Sequence, residues 1–289
     1  MVKKYGELLR ETKRTLHEAG WPDAENAARE LLAYASGKSQ AALLADRELY
    51  ASEEAGSRLA EYTERMKNGE PPAYILGRWS FYGLELAVTP DVLIPRDDTV
   101  AVTDLAIGAL RAMAPGQRVL DLGTGSGCIG LAVAHTVDSA RVTLADVSQA
   151  ALRLAKLNAA ELHLQARAIP MQLDMLQSPP AYLGAFGLIV SNPPYVTGAE
   201  MQTLEPSVRC HEPHLALDGG EDGLRFYRAI VKNYTAALEP GGFLCLEFGL
   251  GQQAAVGELL RAAGYEALEF AKDARGIVRC VRGKRAGNK

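Results

Sequence analysis

The spacing of apolar and polar residues differs on the two sides of residue 70. Before it, the chain is rich in Ala, Leu, Glu and Arg and shows no strand-like alternation. In the segment ENAARELLAYA, apolar residues recur at the spacing of one helix face, at Ala28, Leu31, Leu32 and Ala35. This pattern predicts a small helical bundle over residues 1–70.

A second pattern begins after a short connecting segment. The segment GEPPAYILG ends the helical spacing with glycine and proline, and FYGLELAVTPDVLIP has the alternation and turn residues of a hairpin. We therefore expect a linker over 71–95. From residue 96 to 289, short apolar strands such as RVLDL, RVTLADV and FGLIVS alternate with helical segments. This order predicts an α/β domain with a mostly parallel sheet and helices on both faces.

Composition narrows the class of protein. At 289 residues with 48% hydrophobic positions, the chain can bury a large core, and its net charge of −4 provides no general attraction for nucleic acid. No apolar run approaches the roughly 18 to 20 residues that span a bilayer, and no signal-peptide stretch follows the basic start. We expect a cytoplasmic protein that binds neither membranes nor nucleic acid. The four cysteines form no CxxC pair, so neither disulfides nor zinc are expected.

Candidate binding residues follow the first strand of this domain. Ligands of open α/β sheets bind beyond the carboxyl ends of the strands. The segment DLGTGSG stands at such an end, and its glycines allow the backbone to come close to a ligand. An acid beside the loop would repel pyrophosphate but suits a sulfonium or amino group. The predicted binding residues here are Asp121, Gly123, Thr124, Gly125, Ser126 and Gly127.

The next two strand ends carry acids. Asp146 can accept hydrogen bonds from both hydroxyls of a ribose, or it can simply cap the helix that follows. Asp174 can accept from an adenine amine while Met175 covers the ring; the alternative for Asp174 is a solvated turn. GSGCIG also satisfies the dinucleotide pattern, but it starts late, and counting from the first glycine of the loop puts Cys128 at the third glycine position. Together, the residues at these strand ends predict a binding site for an adenosine that bears a cationic sulfur.

The fourth strand end reads SNPPYV. Each proline lacks an N–H and pushes the preceding residue into extended conformation, so Asn192 and Pro193 present acceptors beyond the sheet. Pro194 stiffens this shelf and Tyr195 adds an aromatic wall. A stiff strand exit without function is the alternative. Farther on, Glu247 at the end of LCLEF could orient this loop or cap a turn.

The glycine loop, Asp146 and NPPY together resemble a class I S-adenosylmethionine-dependent methyltransferase acting on a planar nitrogen. The segments PAYILGRWSFYGLEL, VLIPR, HEPHLALDGGEDGLRFY, GGFLCLEFGLGQ and KDARGIVR are similar to the release factor glutamine methyltransferase family (PrmC/HemK) over nearly the whole chain. The sequence departs from the family at Asp97, usually proline, and at Val100, usually an acid. Met175 and His211 replace common aromatics.

The resemblance implies a Rossmann-like methyltransferase domain, S-adenosylmethionine as cofactor and bacterial class 1 peptide chain release factors as protein substrate. The reaction it implies is methylation of N5 of the glutamine in their Gly-Gly-Gln motif, with the helical domain as docking domain. Asn192, Pro193 and Tyr195 are then the catalytic residues: the Asn192 oxygen and the Pro193 carbonyl accept the two amide N–H groups, and Tyr195 packs on the amide. Asn192 also borders the cofactor, and Pro194 contacts substrate.

Two other functions share part of this pattern. A nucleic acid adenine-N6 methyltransferase has the same glycine loop and NPPY but calls for a basic groove, which the net charge does not favour. A nonenzymatic adenosine-binding module would have lost the NPPY shelf, which is complete here. HEPH could suggest a metal pair, but its proline breaks helical spacing and no third ligand is near, so no metal is expected.

Overall fold

The computed structural model of the chain describes residues 2–287. Its contacts divide the chain into two compact units. The first unit ends at Gly77 and also includes Pro206–His211, and the second comprises Arg78–Glu205 and the chain from Glu212 onward.

The helices and strands of the described chain alternate in the second unit, whereas helices alone make up the first. The helices are α1 (Tyr5–Glu18), α2 (Ala24–Ser36), α3 (Gln40–Ala45), α4 (Glu53–Lys67), α5 (Pro72–Leu76), α6 (Val100–Arg111), α7 (Cys128–Thr136), α8 (Gln149–Glu161), α9 (Gly198–Met201), α10 (Pro206–His211), α11 (Arg225–Tyr234) and α12 (Gln253–Ala262). The strands are β1 (Arg78–Phe81), β2 (Leu84–Ala87), β3 (Arg118–Leu122), β4 (Arg141–Asp146), β5 (Ala168–Gln172), β6 (Phe186–Ser191), β7 (Leu238–Glu247), β8 (Tyr265–Lys272) and β9 (Val278–Arg285).

The first unit is helical, as its apolar spacing predicts. The predicted face of α2 is buried at all four positions, and these residues form one core cluster with residues of α1 and α4. Local signals set the ends of α2: Asp23 accepts a hydrogen bond from the Asn26 N–H at the start, and Gly37 adopts φ +68° at the end. The helical prediction for this region is confirmed.

The expected linker over 71–95 is divided between the two units. Its first part forms α5, which Pro72 opens, and belongs to the first unit. The predicted hairpin is present as β1 and β2 in the second unit, paired antiparallel from Arg78 opposite Ala87 to Phe81 opposite Leu84.

The second unit contains a seven-stranded sheet in the order β5-β4-β3-β6-β7-β9-β8. The strands from β5 to β7 are parallel, and β9 pairs antiparallel with both β7 and β8. The mostly parallel α/β prediction is confirmed. Strand order reverses between β3 and β6, so the carboxyl ends of these two strands flank the position where such sheets bind ligands.

Both faces of the sheet are covered. On one face, Val119 and Val190 pack with residues of α6, α7 and α8; on the other, Leu120 and Ile189 pack with α11 and α12. All six residues of the central strand β6 are buried, as expected for a strand with helices on both sides. The strand ends at the switch point are therefore held by a core on each face.

Candidate active site

A cavity of about 270 Å³ lies in the second unit, beyond the carboxyl ends of β3, β4, β5 and β6. Nine of the predicted site residues line it: Gly123, Thr124, Gly125, Ser126, Asp146, Asp174, Met175, Asn192 and Pro194. The other predicted residues, Asp121, Gly127, Pro193 and Tyr195, are not part of this lining. The four strand ends that the sequence singles out thus meet at one cavity.

The glycine loop forms one wall of the cavity with its backbone. Gly123, Gly125 and Gly127 have φ of +71°, +55° and +87°, a region that favours glycine. A Cβ on Gly123 would lie 2.7 Å from the Cε of Met175, which is closer than such atoms approach. The loop therefore needs glycine for its turns, and the end of the Met175 side chain would have to shift if residue 123 carried a Cβ.

Asp121 lies beneath this loop. Its side chain is fully buried, and its Oδ2 accepts hydrogen bonds from the Thr124 hydroxyl at 2.6 Å and the Gly130 N–H at 2.9 Å. Burial raises the pKa of the Asp121 carboxyl to about 7, although these two hydrogen bonds act in the opposite direction. Oδ1 has no partner among the described residues. Asp121 thus ties the loop to α7, and it does so from behind the cavity wall.

Asp146 joins the loop to the end of β4. Its Oδ2 accepts from the Gly125 N–H and its Oδ1 from the Ser148 N–H, both at 2.9 Å. Burial raises the pKa of this carboxyl, while the two backbone hydrogen bonds lower it. The residue that caps α8 is Ser148, which accepts from the Ala151 N–H. Asp146 faces the cavity with one further acceptor position on each oxygen.

Asp174 and Met175 line the cavity after β5. The Oδ1 of Asp174 accepts a hydrogen bond from the Leu176 N–H at 2.8 Å, which closes a tight turn. The Asp174 carbonyl accepts from the Tyr234 hydroxyl at 3.3 Å. The side-chain and backbone oxygens of Asp174 are thereby both held by hydrogen bonds. The side chain of Met175 is directed toward Gly123.

Asn192 lines the cavity directly after β6. Its Nδ2 donates to the Oγ1 of Thr99 at 3.2 Å, and Thr99, which also lines the cavity, is only 2% exposed. Because the NH₂ group of Asn192 is directed at Thr99, its Oδ1 is left for a different donor. Ser191 secures the strand end, since its hydroxyl donates to the Leu122 carbonyl at 2.7 Å.

Comparison with known proteins agrees with this arrangement. Residues 7–77 match the sequence profile of the PrmC N-terminal domain, and residues 100–221 match that of the methyltransferase small domain. A protein named release factor glutamine methyltransferase from Bradyrhizobium diazoefficiens is 40% identical over 264 residues, 89% of this chain and 88% of that protein. A protein of the same name from Rhodospirillum rubrum is 39% identical over 281 residues, 97% of this chain and 85% of that protein. This chain belongs to the release factor glutamine methyltransferase family.

The fold of this family member is shared more widely. The crystal structure of the hMettl16 catalytic domain in complex with MAT2A 3'UTR hairpin 6 is similar with a TM-score of 0.56. It is 15% identical and covers 82% of this chain and 83% of its own. At that identity the likeness shows the fold alone.

Tyr195 of this release factor glutamine methyltransferase family member is fixed by its neighbours. A Cβ on Gly249 would lie 2.9 Å from the Cδ2 of the Tyr195 ring, and one on Gly219 would lie 2.7 Å from the Tyr195 Cα. The Tyr195 carbonyl accepts from the Gln252 side chain at 3.1 Å. Burial raises the pKa of the phenol. These glycines allow a close approach that a side chain would prevent.

Two residues that line the cavity, Thr99 and Arg96, are absent from the predicted site residues. Thr99 stands in a polar turn with no signal of its own. Arg96 lines the cavity and forms an ion pair with Glu212, which is 4% exposed and also accepts from the Ile94 N–H at 3.3 Å. Burial raises the pKa of Glu212, and Arg96 opposes this effect. In the sequence, only the family-like segments VLIPR, which ends at Arg96, and HEP, which contains Glu212, pointed to this ion pair.

Within residues 2–287, no group of three His, Cys, Asp or Glu side chains is arranged to hold a metal ion. Over the same residues, no helix has both the length and the apolar character needed to cross a membrane.

Proposed function

We propose that this chain transfers a methyl group from S-adenosylmethionine to N5 of the glutamine in the Gly-Gly-Gln motif of bacterial class 1 release factors. The observation that carries the proposal is the orientation of Asn192, whose NH₂ group is held by Thr99 beside a glycine-walled cavity. Membership of the release factor glutamine methyltransferase family supports the choice of substrate.

The residues of the cavity fit an adenosine with a cationic substituent. Asp146 has acceptor positions for ribose hydroxyls, and the glycine loop admits a ligand against its backbone. Asp174 and Met175 line the cavity, and we assign them to the adenine amine and ring. Asp121 lies behind the glycine loop, where its negative charge, when ionised, favours a cation nearby. When bound, S-adenosylmethionine supplies a methyl group on a sulfonium.

The proposed role of NPPY is to orient a weak nucleophile. Resonance commits the lone pair of an amide nitrogen to its carbonyl, so the nitrogen must be held with one face exposed. The Oδ1 of Asn192 and the carbonyl of Pro193 accept the two N–H groups of the substrate amide, while Pro194 and the fixed ring of Tyr195 limit access of water. As the nitrogen attacks, its protons become more acidic, and the same acceptors bind the transition state more strongly than the ground state.

We assign docking of the release factor to the first unit. The first unit exposes several large apolar side chains, namely Tyr34, Leu44, Leu49 and Tyr50. Exposed aromatic and aliphatic side chains are the usual anchors of protein interfaces.

The test is transfer of labelled methyl from S-adenosylmethionine to a purified bacterial class 1 release factor. A release factor with its Gly-Gly-Gln glutamine changed to alanine and a mixture of DNA and RNA are incubated in parallel. Label on the intact factor alone is expected. Label on the alanine variant or on nucleic acid contradicts the proposal, and the second result would favour an adenine-N6 methyltransferase.

A further inference from the structure

Glu247 stands next to Asn192 at the end of the neighbouring strand. In the parallel pairing of β6 with β7, Ser191 lies opposite Leu246, so the residues that follow them are neighbours. Glu247 is 1% exposed, and its carboxyl is close enough to the side chains of Thr99 and Asn192 for both to favour its ionised form. Its Oε2 has no partner among the described residues. A buried carboxyl with an unsatisfied oxygen is costly and calls for an explanation.

The chemistry of these three side chains sets the orientation of one amide. An asparagine side chain has an acceptor at one corner and two donors at the other, in nearly the same shape, so it can turn over. An ionised carboxylate only accepts. Thr99 accepts one hydrogen of the Asn192 NH₂ group, and Glu247 is placed to accept from the same group and from the Thr99 hydroxyl. The Asn192 Oδ1 is then directed away from both.

We propose that Glu247 is a positioning residue for methyl transfer: as a carboxylate it holds, with Thr99, the NH₂ group of Asn192, so that Oδ1 is fixed as the acceptor for the substrate amide. This rests on the proposed function, because it requires Asn192 to bind the glutamine amide. A protonated Glu247 carries a donor that can bond to Oδ1 and hold the Asn192 amide in the reverse orientation. Glu247 therefore holds the Asn192 amide in the orientation for transfer only when its carboxyl is ionised.

The surroundings of Glu247 place its titration near neutral pH. Burial and, to a lesser extent, the charge of Asp98 raise the pKa of the carboxyl, while the hydrogen bonds from Thr99 and Asn192 and the charge of Arg279 lower it, and the resulting pKa is about 7. The titratable and charged groups that interact electrostatically with Glu247 include Asp98, Arg279, Tyr195, Tyr227, Cys128 and Cys280. The phenol of Tyr227 donates to the Glu247 backbone carbonyl at 3.0 Å and leaves the carboxyl available.

The first test compares Glu247→Gln and Thr99→Val with the native protein, using kcat, KM for the release factor and Kd for S-adenosylmethionine. We expect kcat to fall by about 100-fold in Glu247→Gln, the scale for loss of one preorganised hydrogen bond, with Kd for the cofactor nearly unchanged. Thr99→Ser, which keeps the hydroxyl, is expected to lose less than Thr99→Val. The matched control is Cys280→Ala, a buried residue opposite Glu247 in β9, which should retain native kcat.

The second test follows pH. Native kcat should fall tenfold per pH unit below about 7, and this limb should disappear in Glu247→Gln, because the group whose protonation reverses Asn192 is gone. Asp121 also has a pKa of about 7, and it is unchanged in Glu247→Gln. Any decrease of kcat below pH 7 that remains in this variant is therefore assigned to Asp121. In cofactor-free protein, the ¹³C carboxyl signal of Glu247 and the ¹H–¹⁵N signals of the Asn192 side chain should titrate together.

Unchanged kcat in Glu247→Gln, equal loss of cofactor binding and transfer, or Asn192 signals that ignore the titration would each overturn the role of Glu247. A native protein that leaves the release factor unlabelled is a different result. It contradicts the proposed function, and the nuclear magnetic resonance titration then still decides whether Glu247 controls the Asn192 amide.

Discussion

The carboxylate of Asp146 accepts a hydrogen bond from the backbone N–H of Gly125 at 2.9 Å, which joins the end of β4 to the loop after β3. Its other oxygen accepts from the Ser148 N–H. One side chain thus holds two backbone segments of the cavity wall while still offering acceptor positions to a ligand.

Replacement of this carboxylate should weaken cofactor binding. In Asp146→Asn, one of the two backbone N–H groups meets an amide NH₂, and the negative acceptors for a ribose are lost. We expect the Kd for S-adenosylmethionine to rise by about 10- to 100-fold, which corresponds to about 1.4 to 2.8 kcal/mol. Isothermal titration calorimetry measures this, with Asp138→Asn, whose side chain is 97% exposed, as the control. An unchanged Kd would remove Asp146 from the binding site.

Replacement of Asn192 should separate binding from transfer. Asn192→Ala removes the Oδ1 acceptor and the hydrogen bond to Thr99 but leaves the glycine loop and Asp146 in place. Transfer is expected to fall by about 100-fold or more, with cofactor Kd within about twofold of native. Single-turnover transfer and equilibrium binding measure the two quantities. Loss of both in equal proportion would contradict the role assigned to this side chain.

Gly130 should not tolerate a side chain. A Cβ there would lie 2.3 Å from the Cδ2 of Leu144 and 2.8 Å from the Oδ2 of Asp121, inside the core beneath the loop. Gly130→Ala is expected to destabilise the protein by about 1 to 3 kcal/mol through overpacking. Gly108→Ala is the matched control, since a Cβ on that exposed position of α6 meets nothing within 4 Å. There alanine should be neutral or stabilising by about 0.5 to 1 kcal/mol. Thermal unfolding of both variants and of the native protein measures these differences in stability, and equal stability of the two variants would contradict the overpacking at Gly130.

Glu247 should make stability fall as pH rises. The pKa of Glu247 is about 7 in the folded chain, against an ordinary value of 4.5 for a glutamate, so between these pH values the folded state holds a proton that the unfolded state has released. The stability contributed by protonated Glu247 is present below pH 4.5 and decreases toward pH 7, by about 3 kcal/mol in total.

Glu247→Gln removes this penalty, since a neutral amide needs no ionisation. The variant should therefore gain stability over the native protein as pH increases from 5 to 8, measured by urea unfolding at each pH. Asp121 contributes in the same direction in both proteins and cancels in the difference. A difference that stays constant with pH would show that Glu247 does not titrate in this range.

The sequence was sufficient to predict the parts of the site that depend on local chemistry. Gly123 and Asn192 stand directly after strands with a recognisable apolar pattern, and the carboxyl ends of parallel strands meet at one edge of a sheet. The helical first unit follows in the same way from spacing on single faces, as at Leu31 and Leu32.

The rest depended on packing that no local pattern carries. Thr99 reaches Asn192 only because α6 packs on the sheet beside β6, and Glu247 faces them because β7 is the neighbour of β6. The role of Asp121 was unpredictable for a similar reason: its carboxylate accepts from Thr124 and from Gly130, nine residues later, and so lies behind the cavity wall rather than in its lining. The pairing of β9 between β7 and β8 also has no signal in spacing.

The position of NPPY after β6 has a dynamic consequence. β6 is buried along its whole length, pairs with strands on both sides, and is secured at its end by the Ser191 hydroxyl. Amide groups of such central strands exchange with solvent only through global opening. The acceptors of the proposed reaction, Asn192 and Pro193, thus directly follow a strand that opens only with the core, so their positions are preorganised before a substrate arrives.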